Sequence, residues 1–335
     1  MYKKSLVLGK FAPPHLGHLH LIDEAIKLSD EVHVIVCWNE TQSIPPEWRF
    51  NTLDKIYENQ YKVKIHVAND KGMPQSDKEC QTKEEFYSYW VPFVNKFVKE
   101  LDVVFTSEDY GDDFANYLGI KHHLVDKERI KYPISATKLK ENPFDNWKFI
   151  PDVLKPKFVK RIALMGPESV GKSTLTKKLS EHYNTNYLEE WGRVIYERNG
   201  NHVDLEDFIT ISKERMEKED ELILKSNKIF FTDTEDITTY LFSKMYYPDD
   251  WFKIKYWFNY ALTSHPKYDL YILLKPDCDG VQDGTRSFLE KRSEHYQNIK
   301  SELIERKLNF VEIGGDWDNR FNQSIEEIDK LFFNI

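Results

Sequence analysis

The stretch Gly166-Pro167-Glu168-Ser169-Val170-Gly171-Lys172-Ser173-Thr174 lies near the middle of the 335-residue chain and decides the fold of its second half. It matches the pattern G-x-x-x-x-G-K-[ST] of a phosphate-binding loop. An apolar run at 161–165 precedes it, and Leu175, Leu179 and Tyr183 follow at helical spacing. The glycines therefore lie between a predicted strand and a predicted helix; the alternative is a chance match in an ordinary turn. We predict a loop whose N–H groups bind a polyphosphate at a helix N-terminus.

Several residues of this loop have predicted roles. Lys172 is expected to reach the β- and γ-phosphates of ATP, and Ser173 is expected to ligate Mg²⁺. A later strand pattern at 228–234 includes Asp233 at its end, which suits a second Mg²⁺ ligand. The alternative for Asp233 is a helix N-cap, because 235–243 has a helical pattern. Further ATP contacts are expected from Gly166, Glu168, Ser169, Gly171 and Thr174.

Length, charge and cysteine usage limit the class of protein. At 335 residues two domains are favoured over one. The net charge of -9 argues against a broad nucleic-acid-binding surface. No stretch approaches the ~20 apolar residues of a membrane helix, and no signal peptide pattern precedes the first strand. Cys37, Cys80 and Cys278 are far apart and form neither a metal spacing nor a disulfide framework, so a cytoplasmic protein is expected.

The first half of the chain contains a second phosphate-binding pattern. A strand pattern at 5–9 continues into a turn with His15 and His18 on either side of Gly17, and a helix and another strand follow. The β-α-β order predicts a parallel sheet with its ligand site at the carboxyl ends of the strands. Two imidazoles and the helix N–H groups would bind a triphosphate and stabilise charge on the reacting phosphorus. Arg49 is either a phosphate contact or a solvated arginine at a helix start.

The rest of the chain gives coarser predictions. A helix is predicted over 86–101, although Pro92 could instead mark a first turn. His122 and His123 are adjacent in a strand pattern, so they should point to opposite faces and share no metal. A proline-containing linker is predicted over 144–156. Further strands and helices are predicted at 103–105, 186–190, 205–224, 268–274 and 309–313.

Two features of the second half allow alternative roles. The eight aromatic residues within 246–260 are expected to lie mostly in the core, with one or two free to stack on a planar ring. Arg286 and Arg292 follow the strand at 268–274 and suit a lid over transferring phosphate. Their alternative is a set of surface salt bridges.

Two segments of the first half carry a family resemblance. Gly9 to His18 resembles the nucleotidyltransferase superfamily with the (H/T)-x-G-H signature. Ile134 to Lys140 resembles the I-S-x-T-x-x-R signature of that superfamily, with Lys140 in place of the arginine. Lysine keeps the positive charge but lacks the planar fork of a guanidinium group.

Nearly the whole chain resembles the NadR-type bifunctional family, in which nicotinamide mononucleotide adenylyltransferase is joined to ribosylnicotinamide kinase. Additional stretches that carry the likeness are Tyr110-Gly111-Asp112-Asp113-Phe114-Ala115, Trp147-Lys148-Phe149-Ile150-Pro151, Gly166-Pro167-Glu168-Ser169, Thr232-Asp233-Thr234 with Thr238-Thr239, and Asp283-Gly284 with Arg286-Ser287. The resemblance implies an α/β fold with two parallel-sheet domains. They are a Rossmann-like nucleotidyltransferase domain over 1–150 and a P-loop kinase domain over 158–335.

The resemblance also implies ligands, two reactions and site residues. The C-terminal domain would phosphorylate nicotinamide riboside with ATP, and the N-terminal domain would convert nicotinamide mononucleotide (NMN) and ATP to NAD and pyrophosphate, with Mg²⁺ as cofactor. The residues implied for ATP in the first site are Gly9, Lys10, Phe11, His15, Gly17, His18, Ser135, Thr137 and Lys140. Trp90 and Arg49 are implied for its second substrate. The residues implied for the kinase site are Lys172, Ser173, Asp233, Arg286 and Arg292, with Glu190, Arg193 and Asp283 near the riboside.

Two rival functions stay open at this stage. One is another fusion of a nucleotidyltransferase with a kinase, acting on a pantetheine, flavin or cytidyl substrate. The other is a sensor that binds nucleotides without turnover. Family members that repress transcription carry an N-terminal helix-turn-helix domain. The first strand pattern here begins at Ser5, so we expect neither that domain nor a nucleic-acid or membrane partner, and a homo-oligomer stays open.

Overall fold

A computed structural model of the chain describes residues 1–265, 267–280 and 287–333. The chain divides into two compact units, Met1–Lys155 and Pro156–Ile335. Each unit contains one five-stranded sheet in which every strand pair is parallel. This confirms the predicted fold class, an α/β protein with two parallel-sheet domains. None of the helices in these residues is long and apolar enough to cross a membrane.

The first unit is a sheet covered by helices on both faces. Its strands are β1 Tyr2–Gly9, β2 Ser29–Trp38, β3 Val63–Asn69, β4 Val103–Thr106 and β5 Lys121–Leu124. Its helices are α1 Leu16–Leu28, α2 Pro46–Tyr57, α3 Lys83–Asn95, α4 Gly111–Leu118 and α5 Ala136–Glu141. The strand order β3-β2-β1-β4-β5 places β1 at the centre. Neighbouring residues of β1 face opposite sides, so Val7 packs with α1 and α2 while Leu6 packs with α3 and α4.

Helix α3 corrects the prediction of a helix over 86–101. It begins at Lys83 because the Thr82 side chain accepts a hydrogen bond from the Glu85 N–H at 3.1 Å. The Thr-x-x-Glu spacing is a capping pattern that the prediction missed. Pro92 lies inside the last turns of this helix, so the alternative that it marks a first turn is wrong.

The two adjacent histidines point to different neighbours, and the segment predicted as a linker contains the boundary between the two units. His122 contacts the Thr106 hydroxyl at 2.8 Å, and the His123 ring packs on Phe105 with centroids 4.8 Å apart, so the two rings have different neighbours. The segment 144–156 contains a short 3-10 helix and buries Ile150 and Leu154. It is therefore packed chain, because its apolar side chains are excluded from water.

The second unit has its phosphate-binding loop at the centre of the sheet. Its strands are β6 Lys160–Met165, β7 Tyr187–Leu188, β8 Ile229–Asp233, β9 Leu270–Leu274 and β10 Phe310–Ile313. Its helices are α6 Lys172–His182, α7 Trp191–Arg198, α8 Asp207–Ile223, α9 Asp236–Tyr246, α10 Lys255–Ser264, α11 Arg292–Glu305 and α12 Trp317–Phe332. The order β10-β9-β6-β8-β7 brings the loop that follows β6 between the ends of β9 and β8. Strand β7 is shorter than the strand predicted over 186–190.

The aromatic segment corrects a second prediction. Phe258 is fully buried, but Phe252, Tyr256 and Tyr260 are 58, 68 and 56% exposed. These three positions follow one another at four-residue intervals, so they share one side of a helical stretch that faces solvent. The expectation that most of these aromatic residues are core is therefore wrong for this face.

Candidate functional site

Two histidines close the turn between β1 and α1. His15 is the N-cap residue of α1, and its Nδ1 accepts a hydrogen bond from the His18 N–H at 3.3 Å. The Nδ1 of His18 accepts one from the His15 N–H, also at 3.3 Å, which makes a reciprocal capping box. The two rings stack with centroids 3.7 Å apart. A Cβ at Gly17 would lie 3.0 Å from Cε1 of His15, so glycine leaves room for the stacked rings.

Both imidazoles are held in the neutral form. Burial, with a smaller effect of the Arg129 charge, lowers the pKa of His15 from 6.5 to about 4. Burial also lowers the pKa of His18, and the charges of His15 and Arg129 add to this effect. Because Nδ1 of each neutral ring accepts a backbone N–H, its proton lies on Nε2. Each ring therefore offers one neutral Nε2–H donor, which suits a phosphate oxygen.

A cavity of about 240 Å³ adjoins these rings, and we call it the histidine cavity. Residues that line it include His15, Gly17, His18, Arg129, Ser135 and Thr137. Ser135 caps α5 by accepting a hydrogen bond from the Lys138 N–H at 3.3 Å. The structure thus brings together the two signature segments, as expected. Lys140 is exposed in the last turn of α5 and is not among the lining residues.

A larger cavity of about 620 Å³ lies at the carboxyl ends of β1, β2 and β3, and we call it the aromatic cavity. Residues that line it include Gly9, Lys10, Asp70, Phe86, Trp90 and Tyr110. Trp90 is 8% exposed, and its Nε1 donates to the Pro74 carbonyl at 3.0 Å. The hydrogen bond fixes the indole in the wall of the aromatic cavity. Stacking of Trp90 on a nicotinamide ring stays a prediction. Phe11 lies under the neighbouring turn, with its ring 5.0 Å from that of His18.

Arg49 is wholly buried, which contradicts the solvated alternative. Its guanidinium donates to the carbonyl oxygens of Ile44, Lys10 and Cys37 and to the Gln42 side chain. These bonds hold the loop after β1 against the loop after β2. A phosphate contact by Arg49 would require it to exchange one of these partners.

In the second unit, the phosphate-binding loop runs from β6 into α6 through residues of positive φ. Gly166, Ser169 and Gly171 have φ values of 144°, 56° and 86°. A Cβ at Gly166 would lie 2.9 Å from the Leu274 carbonyl oxygen, and one at Gly171 would lie 2.2 Å from the Trp317 indole. Both glycines are therefore required by conformation and by space.

Lys172 and Asp233 lie at the two sides of this loop. The Lys172 Nζ is buried and donates to the carbonyl oxygens of Gly166 and Pro167 at 3.1 and 3.0 Å. Asp233 is the last residue of β8, and its Oδ1 accepts a hydrogen bond from the Thr234 hydroxyl at 3.3 Å. The Ser173 hydroxyl is near enough to act against the rise in the pKa of Asp233. Burial, followed by the negative charge of Glu190, raises the pKa of Asp233 to about 6. Its Oδ2 is buried and has no hydrogen-bond partner within the described ranges.

The cap of α9 belongs to a different residue. Glu235 accepts hydrogen bonds from the N–H groups of Ile237 and Thr238 at 2.7 and 2.9 Å. The N-cap alternative for Asp233 is therefore wrong. A partnerless buried carboxylate oxygen beside the Ser173 hydroxyl fits a hard cation such as Mg²⁺. The described residues contain no group of three or more His, Cys, Asp and Glu suited to a metal, so phosphate oxygens would have to complete such a site.

A cavity next to the loop, the phosphate-loop cavity, is lined by Glu168, Lys172, Glu190, Arg193, Thr239 and Tyr246, among others. Glu190 and Arg193 form an ion pair at 3.8 Å. The buried Glu168 carboxylate accepts the N–H groups of Ser287 and Phe288 at 3.3 and 3.0 Å. In this structure Glu168 therefore anchors the chain before α11, and its predicted contact with ATP stays a prediction. Thr174 lies in the first turn of α6.

Of the two arginines predicted to form a lid, Arg292 lies within the described residues. Arg292 donates to the carbonyl oxygens of Cys278 and Ser169 at 2.9 and 3.2 Å, so its guanidinium holds the phosphate-binding loop from outside. These partners contradict the surface salt bridge, and the predicted contact of Arg292 with the transferring phosphate stays a prediction. Asp283 and Arg286 lie outside the described residues.

Arg129 and Asp70 are among the cavity residues that had no prediction. Arg129 lies in the loop after β5 and lines the histidine cavity. Asp70, fully buried after β3, accepts a hydrogen bond from the Asn39 side chain at 2.8 Å and lines the aromatic cavity. For Asp70 the signal is a charged residue directly after a parallel strand, since ligand sites lie at the carboxyl ends of such strands. Arg129 has no such signal, because β5 already ends at Leu124.

Fold and site geometry together define a class of protein. Its N-terminal domain has the histidine signature of nucleotidyltransferases on a parallel sheet, and its C-terminal domain is of the P-loop type. Family comparison agrees: a family described as Cytidylyltransferase-like matches residues 6–142, and one described as AAA domain matches residues 161–320.

Relatives cover almost the entire chain. The Trifunctional NAD biosynthesis/regulator protein NadR of Escherichia coli (strain K12) is 31% identical over 352 residues, spanning 97% of this chain and 82% of that protein. The NadR protein of Salmonella typhimurium (strain LT2) gives the same identity and coverage. A solved NadR structure in complex with NR matches with a TM-score of 0.81 at 21% identity, over 98% of this chain and 96% of that one. Another, in complex with NAD and AMP-PNP, gives a TM-score of 0.79 at 22% identity, over 99% and 97%.

The chain belongs to the NadR family. It is a nucleotide-binding transferase of NAD biosynthesis that combines a nucleotidyltransferase-like domain with a P-loop domain. The predicted membership of the NadR family is thereby confirmed, and the two activities expected of it are taken up as a proposal.

Proposed function

We propose that the chain makes NAD in two consecutive reactions. The C-terminal domain transfers the γ-phosphoryl group of ATP to the 5′-hydroxyl of nicotinamide riboside. The N-terminal domain then joins the resulting NMN to the adenylyl group of a second ATP and releases pyrophosphate. The names of the curated relatives and the ligands of the solved NadR structures, NR, NAD and AMP-PNP, support this assignment.

Phosphoryl transfer in the C-terminal domain depends on positioning and charge. In the free protein, the Lys172 Nζ donates to the carbonyl oxygens of Gly166 and Pro167 at 3.1 and 3.0 Å. When ATP binds, Lys172 exchanges these partners for phosphate oxygens. Ser173 and Asp233 would hold Mg²⁺, which would neutralise negative charge on the phosphates. In the phosphate-loop cavity, Glu190 and Arg193 bind the riboside.

Adenylyl transfer in the N-terminal domain uses neutral donors. The Nε2–H groups of His15 and His18 donate to the triphosphate, while Ser135 and Thr137 contact it from the opening of α5. The NMN phosphate attacks the α-phosphorus in line with the departing pyrophosphate, and no covalent enzyme intermediate is required. Trp90 stacks on the nicotinamide ring in the aromatic cavity.

One observation carries the proposal: each sheet has a phosphate-binding turn at its carboxyl edge beside a cavity. The aromatic cavity measures about 620 Å³, and the phosphate-loop cavity is lined by Phe208, Phe242 and Tyr246, which suit a planar ring. The test incubates the full chain with nicotinamide riboside, ATP and Mg²⁺ and follows ADP, NMN, pyrophosphate and NAD. ADP and NMN should form before pyrophosphate and NAD.

Matched reactions with pantetheine, riboflavin and cytidine identify the rival fusions. ADP release with one of these and none with the riboside would overturn the proposal in favour of that substrate. Binding of ATP without release of ADP or pyrophosphate would overturn it in favour of a sensor.

A further inference from the structure

The turn after β5 holds Arg129 in an uncommon backbone conformation. Arg129 and Asp126 have φ values of 51° and 43°, in the left-handed region that is unfavourable for residues other than glycine. The Asp126 carboxylate accepts the N–H groups of Ile130 and Lys131 at 2.8 and 3.1 Å. The Asp126 carbonyl accepts the Arg129 N–H at 2.8 Å. Three hydrogen bonds thus maintain a strained turn, and such strain commonly persists where the residue has a function.

This turn places the Arg129 side chain at the histidine cavity. Of the described residues that line this cavity, Arg129 is the one lysine or arginine. Its charge acts on both His15 and His18 and lowers the pKa of each. The guanidinium is paired with Glu108 at 2.9 Å, and the two side chains are 41 and 53% exposed. An exposed pair of this kind is weak, so a phosphate group can replace Glu108.

The two cations that the sequence predicted for this site, Arg49 and Lys140, do not line this cavity. Arg49 is buried and donates to the carbonyls of the loops after β1 and β2. Lys140, at the arginine position of the I-S-x-T-x-x-R pattern, is exposed at the end of α5 and outside the lining. The two imidazoles are neutral. Among the described residues, Arg129 is therefore the lysine or arginine of the lining that a triphosphate in this cavity would meet.

We propose that Arg129 binds the triphosphate of ATP during adenylyl transfer and supplies the guanidinium that the signature lacks at Lys140. The inference rests on the proposed adenylyltransferase function. In that step an NMN phosphate oxygen bonds to the α-phosphorus, and the bond from this phosphorus to the bridging oxygen breaks. Pyrophosphate leaves with that electron pair. Arg129 leaves Glu108, forms paired hydrogen bonds with the phosphate oxygens and stabilises the charge that develops on the leaving group.

The decisive variant is Arg129→Gly. Glycine suits a φ of 51°, so this variant should fold at least as stably as the parent while losing the guanidinium. The assay uses the full chain carrying Lys172→Ala, which silences the kinase site, and measures NAD formation from NMN and ATP. The ratio kcat/KM for ATP should fall about 10²-fold in Arg129→Gly. Arg129→Lys should recover part of it, because a point charge remains without the planar fork.

Two further variants separate charge from fold. Glu108→Gln frees Arg129 and removes a negative charge from the cavity, so the KM for ATP should fall. Lys55→Ala, which removes an exposed cation paired with Glu58 on α2, should match the parent. If the Lys172→Ala parent forms NAD and Arg129→Gly retains the parent's kcat and KM, the inference is overturned while the proposed function stands. If the parent forms no NAD from NMN and ATP, the proposed function itself fails.

Discussion

Replacing Asp233 by asparagine should abolish phosphorylation and stabilise the free protein at the same time. The side chain is 1% exposed, its Oδ2 has no hydrogen-bond partner in the described part of the chain, and Glu190 repels its charge. A carboxylate kept in such surroundings costs folding free energy unless a cation is bound. Asparagine keeps the shape and removes the charge.

The magnitude follows from the pKa of Asp233. The unfolded group loses its proton near pH 3.8, whereas the folded group retains it until about pH 6. Stability therefore falls as pH rises through this window, and the full cost remains at pH 7. About 2 pH units correspond to about 3 kcal/mol. In the absence of Mg²⁺, Asp233→Asn should raise the melting temperature of the C-terminal domain by up to about 6–12 °C.

Two measurements test this reasoning. The kcat for riboside phosphorylation across a Mg²⁺ titration should fall at least ~10²-fold in Asp233→Asn. Thermal unfolding at pH 7 should show the rise in melting temperature, and Mg²⁺ with ATP should stabilise the parent more than the variant. A near-normal kcat would refute the metal role, and Glu190 would be the next candidate ligand. A lower melting temperature would show that the carboxylate stabilises the fold.

Three other predictions follow from the separate sites. His18→Ala should abolish NAD formation and leave riboside phosphorylation intact, and Lys172→Ala should do the reverse; loss of both activities in folded protein would contradict two independent sites. Lys140→Ala should raise the KM for ATP in adenylyl transfer less than Arg129→Gly does, measured under identical conditions. Unfolded His15 binds a proton below about pH 6.5 while the folded ring stays neutral to about pH 4, so stability should fall by up to about 3 kcal/mol as pH decreases through this window. Denaturant unfolding of His15→Asn should show a flatter pH dependence.

The fold was predictable wherever one local pattern determined the structure. The central strands of both sheets could be predicted from the apolar runs of β1, β6 and β8. The turn after β6 could be predicted from the glycines of the phosphate-binding loop. The start of α3 could not be predicted from apolar spacing, because the polar capping pair Thr82 and Glu85 determines it. The exposed aromatic face near α10 could not be predicted from hydrophobicity, because hydrophobicity alone does not tell which side of a helix packs against the core.

The site was predictable for residues that neighbour each other in sequence. His15 with His18, and Lys172 with Ser173, lie in single turns, so spacing determines their geometry. Arg129 could not be found this way, because its position depends on the pairing of β5 with β4 and on a strained turn that no motif marks. Arg49 differs in the other direction. Its position at a helix start allowed a solvated side chain, but the loops around it bury the guanidinium and accept its hydrogen bonds.

The two sites handle phosphate charge in different ways, and this predicts a difference in their metal dependence. Near the P-loop, a buried lysine lies with Asp233 and Glu190, whose carboxylates repel each other, so a cation bound to the protein relieves that repulsion. At the histidine cavity, Glu108 is paired with Arg129 and Asp126 accepts backbone N–H groups, so the described lining carboxylates are already engaged. Mg²⁺ in adenylyl transfer should therefore arrive with the triphosphate. Asp233→Asn should remove the Mg²⁺ response of phosphorylation and leave the Mg²⁺ response of NAD formation from NMN unchanged, and an equal loss in both would refute this distinction.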